Sequence, residues 1–147
     1  MNIHINRIIE EYEYPIINSL VYANGDMLVL ESYKIDNKHI LRTLCKSSID
    51  SYFDYNDPSY VSSIAVTVLA ENENYRAFGG DGSMGGDGII FVIDKQTKKP
   101  LWFLFLDNSD PFDNIIFESD SDITVCSTGG LKISICITNP ENMKVHD

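Results

Sequence analysis

"IIFVIDKQTKKPLWFLFL", Ile89 to Leu106, decides the fold. Two apolar runs, Ile89–Ile93 and Leu101–Leu106, flank the polar turn "DKQTKK". Neither run alternates with polar residues. A strand with one wet face reads apolar-polar-apolar, whereas a strand apolar on both faces lies inside a sheet that is covered on both sides. The two runs therefore predict central, neighbouring strands with a packed layer on each face.

Upstream, "GGDGSMGGDG" (Gly79–Gly88) separates the strand-like "NYRAF" from the first run, and six of its ten residues are glycine. Gly80, Gly82 and Gly85 satisfy G-x-G-x-x-G, but a dinucleotide fingerprint must open a helix and this loop opens a strand. A kinase loop needs a lysine on the next strand plus HRD and DFG motifs, which the chain lacks. "GGDG" occurs twice, six residues apart, which breaks the nine-residue period of a calcium β-roll. Asp81 and Asp87 alone make an incomplete calcium shell. The reading that remains is a wide hairpin loop whose glycines allow tight bends or close approach of backbone.

Further out, the period stays near two. "DMLVLESYKI" and "HILRTLC" make a hairpin around "DNK", and "YVSSIAVTVLAE" is a further strand run. After the turn "NSDPFDN" come "IIFES", "DITVCS" and "LKISICIT". The last pair tests register. A three-residue loop, Thr128-Gly129-Gly130, pairs Val125 with Ile133 and Ile123 with Ile135, keeping the apolar residues on one face, whereas a two-residue loop separates them. "KSSIDSYFDYNDPSY" reads as a loop with at most a helical turn. One helix is expected, over about residues 3–13, where Ile5, Ile8, Ile9 and Tyr12 recur at helical spacing before Pro15. The expected fold is α+β: a single domain, 1–147, with a mainly antiparallel sheet of about seven to nine strands, curved or partly split, and the N-terminal helix on one face.

With 22 acidic and 11 basic residues the formal charge is −11. That disfavours nucleic acid and anionic membrane as partners, because phosphate binding needs clustered lysine and arginine. It suits a basic protein partner. The three cysteines, Cys45, Cys126 and Cys136, form no CxxC and fit a reducing cytoplasm. The N-terminus lacks a signal peptide's apolar core, and no run is long enough to span a membrane. His4, His39 and His146 have no metal-ligand spacing. No GxSxG, HExxH or Walker motif occurs, so no catalytic residue, cofactor or metal is expected.

Two stretches read as contact surface. "SYFDYNDPSY" interleaves tyrosines with aspartates, and "DNSDPFDNIIFESDSD" concentrates carboxylates. The candidate partner-binding residues are Tyr52, Asp54, Tyr55, Asp57, Asp81, Asp87, Asp110 and Asp113.

"GGDGSMGGDGIIFVID" followed by "LWFLFLDNSDPF", within Gly79 to Phe112, resembles small immunity proteins of bacterial polymorphic toxin systems, including contact-dependent growth inhibition. The resemblance implies a cytoplasmic domain without catalytic residues of its own, which blocks the active site or substrate surface of a cognate, basic toxin domain. Two other readings stay open. One is an enzyme or ligand-binding module that uses Gly79–Gly88 for an anionic small molecule. The other is a subunit of a larger assembly, since the sequence sets no oligomeric state.

Overall fold

The computed structural model describes residues 2–146. α1 (Ile3–Glu11) is capped by Asn2, whose Oδ1 accepts from the His4 N–H at 2.8 Å, and buries Ile5 and Ile8. It stops before Pro15. Tyr12 adopts a left-handed conformation (φ 55°) and donates its N–H to Ile8 O at 3.1 Å, a C-terminal cap that ends the helix. The residues after that cap form β1 (Glu13–Pro15), followed by β2 (Ser19–Tyr22).

β3 (Asp26–Ile35) and β4 (Lys38–Ser48) make the expected hairpin. Asp36 and Asn37 both have positive φ (51° and 66°), the two-residue turn whose twist matches that of paired strands. The segment expected as a loop is instead α2 (Ile49–Tyr55). Ser48 Oγ caps it by accepting from the Ser51 N–H at 3.0 Å, and Ile49 and Tyr52 are buried.

The long run after α2 divides into β5 (Val61–Ser63), which pairs with β1, and β6 (Ala65–Glu71). β7 (Tyr75–Asp81) and β8 (Gly88–Asp94) border the glycine loop, so Gly79 and Gly80 belong to a strand. β9 (Pro100–Leu106), β10 (Phe112–Phe117), β11 (Asp122–Ser127), β12 (Lys132–Cys136) and β13 (Asn139–His146) complete the chain.

Every pairing is antiparallel. The split is clean: a seven-stranded sheet in the order β4-β3-β2-β9-β8-β7-β6, a four-stranded sheet β10-β11-β12-β13, and the ribbon β1-β5. β8 and β9 are neighbours inside the larger sheet, as their two apolar faces demand. Ile90, Val92, Trp102, Leu104 and Leu106 point into a core shared with the four-stranded sheet. Ile89, Phe91, Phe103 and Phe105 point the other way, into a second core under α1, α2 and β1. The molecule thus has three layers, with the seven-stranded sheet in the middle.

The four-stranded sheet spans the larger one, with β10 near β6 and β7 and β13 near β4. Gly79 permits this approach: a methyl group there would lie 2.9 Å from Val68 Cγ1 and 3.3 Å from Ile115 Cδ1. Trp102 ties the layers together by donating Nε1–H to Ile137 O at 2.9 Å. In the β11–β12 hairpin Val125 pairs with Ile133 and Ile123 with Ile135, the register of the three-residue loop, and Gly130 takes φ 92°. No helix among the described residues is long and apolar enough to cross a membrane.

Candidate functional site

Three loops meet at one end of the sandwich: β7–β8 (residues 82–87), β9–β10 (107–111) and β11–β12 (128–131). Backbone hydrogen bonds join them in series. Asp110 N–H donates to Gly86 O at 2.8 Å, and Thr128 N–H donates to Pro111 O at 2.9 Å. Asp107 N–H donates to Asn18 Oδ1 at 2.7 Å, which fixes the second loop to the chain entering β2. The β3–β4 arm leans on the same loop. Ser32 Oγ–H donates to Asn108 Oδ1 at 3.0 Å, and Asn108 Nδ2 donates to Ser32 O at 3.0 Å.

The glycine loop is organised by its own aspartate. Asp87 is fully buried. Its Oδ1 accepts from the Gly82 N–H at 2.9 Å, and its Oδ2 accepts from Ser62 Oγ–H at 3.1 Å and the Met84 N–H at 3.4 Å. Ser62 Oγ in turn accepts from the Ser83 N–H at 2.9 Å. A buried carboxylate needs this many donors, because an unsatisfied one is strongly disfavoured away from water. Gly82 is required here: a methyl group on it would collide with the Asp87 carboxylate and the Ser62 hydroxyl. The N–H groups of Gly82, Ser83 and Met84, which an external anion would need, are therefore already engaged. The loop does cradle an anion, and that anion is part of the chain.

Around this scaffold stand the acids. Asp81 ends β7 and Asp113 is the second residue of β10; Asp107 and Asp110 lie in the loop between β9 and β10. Asp107 and Asp113 are exposed, and Asp81 and Asp110 are half-buried. Asp110 has φ 64°, a conformation that aspartate tolerates better than most side chains, and its carboxylate abuts Gly129. His39, on the β3–β4 arm, has a buried Nε2 with no hydrogen-bond partner among the described residues. Burial, and then the Lys34 charge, push its pKa down, while Asp110 pulls it up.

Of the eight candidate contact residues, Asp81, Asp87, Asp110 and Asp113 come together at this loop end, with Asp87 inside it. Tyr52, Asp54, Tyr55 and Asp57 belong to the helical layer. Tyr52 is buried; its hydroxyl accepts from the Ile16 N–H at 3.1 Å and donates to Tyr60 O at 2.7 Å, so it fastens α2 to two loops and offers little contact area. Asp54, Tyr55 and Asp57 are exposed, and Tyr55 is 87% accessible. Asp57 accepts from the Ser59 hydroxyl at 2.6 Å and the Ser59 N–H at 2.8 Å, which lowers its pKa.

Sequence reasoning missed Ser62 and Asn18, the side chains that hold the loops. No motif marks either one, since each acts on a residue remote in the chain. Among the described residues no group of three His, Cys, Asp or Glu side chains is placed to hold a metal. The chain matches no protein-family model, no curated protein and no solved structure.

Proposed function

We propose that this chain is an immunity protein that captures a basic toxin domain at its loop end and covers the toxin's active site or substrate surface. The observation that carries the reading is the gathering of Asp81, Asp107, Asp110 and Asp113 on the braced loops and adjoining strand ends at one end of a chain of charge −11. Preorganised carboxylates attract lysine and arginine over long range and lose little freedom on contact. A surface of this kind imitates the anionic substrate of a basic nuclease and excludes it sterically. Asp54, Tyr55 and Asp57 on the helical layer supply a second acidic and aromatic patch for a partner large enough to reach around the edge.

The test is growth rescue. The C-terminal domain of the neighbouring gene's product is expressed in sensitive cells with and without this chain. Death without the chain and survival with it supports immunity. A harmless domain, or equal killing in both cells, removes the support. The glycine loop as a site for an anionic small molecule is the competing reading, and the engaged N–H groups of Gly82, Ser83 and Met84 argue against it.

A further inference from the structure

The helix-side face of the seven-stranded sheet is only partly roofed. Beyond the C-terminal end of α1 it opens into a groove of about 180 Å³, lined by Ile9, Tyr12, Ile64, Phe78, Phe91 and Ile93 among others. Its lining is apolar with one charged exception, Lys98. Ile9 and Tyr12 are themselves exposed on the roof side, so the apolar surface continues outward from the groove. Concave apolar surface with a single placed charge is the general form of a small-molecule site.

Lys98 is an exposed residue of the β8–β9 turn. The neighbouring cations Arg76 and Lys95 are paired with Glu71, at 2.9 and 3.6 Å, whereas Lys98, like every lysine but Lys95, makes no ion pair among the described residues. Lys98 also has φ 60°, in the turn closed by its own N–H to Asp94 O at 2.8 Å. Glycine is the unstrained choice at such a position.

We propose that this groove binds an anionic amphiphile: an apolar chain of acyl type lies along Phe78, Phe91 and Ile93, and its carboxylate pairs with Lys98. Charge complementarity selects this occupant. The chain carries a net charge of −11, and the one charged residue lining this otherwise apolar trough is a lysine. A cationic amphiphile would place like charges together. A neutral one would leave Lys98 without a partner.

Isothermal titration with decanoate and with decyltrimethylammonium tests the inference, and the readout is independent of any toxin. Decanoate is expected to saturate at one per chain, and the cationic amphiphile is expected not to bind. Lys98→Gly provides the sharper arm. It relieves the backbone strain, so it should raise the midpoint of thermal unfolding, and it should weaken decanoate about tenfold, the loss expected for one charge-assisted contact. Val66→Asp, at an exposed groove position, should also weaken decanoate. The proposal fails if decanoate shows no saturable binding, if both amphiphiles bind alike, or if Lys98→Gly binds decanoate as tightly as the wild type.

Discussion

Asp81 and Asp87 occupy equivalent places in the two copies of "GGDG", yet one closes a strand near the surface and the other is sealed inside the loop. The difference comes from Ser62 and from the direction of the Gly82 and Met84 N–H groups, none of which the repeat encodes. Asp87→Ala leaves the Gly82 and Met84 N–H groups and the Ser62 hydroxyl without their acceptor and should cost about 1–3 kcal/mol in stability, read by urea denaturation. Gly82→Ala should cost a comparable amount, because the added methyl displaces the same carboxylate. Wild-type stability of both variants would show that Asp87 does not hold the loop.

His39 makes a pH-dependent contribution of predictable sign. Its folded pKa lies below its ordinary value of 6.5, owing to burial first and Lys34 second. The folded state therefore resists protonation more than the unfolded chain does. Stability from this group is complete above pH 6.5 and declines as pH falls below it. The groups facing His39 are Lys34 on its own hairpin and Asp110 on the β9–β10 loop. His39→Leu should flatten the stability profile between pH 7 and 5, and an unchanged slope would remove His39 as the cause.

Among the elements, α2 shows how a short helix escapes notice. Its apolar stripe is only Ile49, Tyr52 and Phe53, and the aspartates and Asn56 around it carry turn signals. The cap decides the matter: Ser48 holds the first turn, so Ser48→Ala should cost about 1 kcal/mol, measured by chemical denaturation. The β11–β12 loop was legible because facing isoleucines and valine leave only one register that keeps them together. Gly130 sits at φ 92°, where a side chain is strained. Gly130→Ala should therefore destabilise by about 1 kcal/mol, while its neighbour Gly129 lacks that backbone constraint. β1, β2 and β13 carried no such signal. β1 is three residues long and ends in proline, and β13 is a polar edge strand whose "NPENMKVH" shows little alternation.

At the scale of the molecule, two apolar runs predicted the three layers, because only a sheet covered on both faces can bury Phe91 on one side and Val92 on the other. The loop end was legible only in part. Charge counting points to Asp110 and Asp113 but cannot show which turns share an end of the sandwich; strand order sets that, and it depends on pairings remote in sequence. Tyr52 illustrates the converse, an aromatic that reads as contact surface and serves as an internal anchor. If the loop end meets a basic partner, association should slow steeply as salt rises from about 0.05 to 0.5 M, while dissociation changes less. Stopped-flow mixing with the partner domain measures both rates.

The most direct test of the account is the affinity of a loop-end variant for the toxin domain, by isothermal titration. Asp81→Asn, Asp107→Asn, Asp110→Asn and Asp113→Asn combined remove the charge, keep the shape and leave Asp87 in place. The account predicts a loss of affinity of about a hundredfold or more with an unchanged unfolding midpoint, and a much smaller loss for Asp54→Asn with Asp57→Asn. Wild-type affinity in the loop-end variant, or the larger loss in the α2 variant, would contradict it.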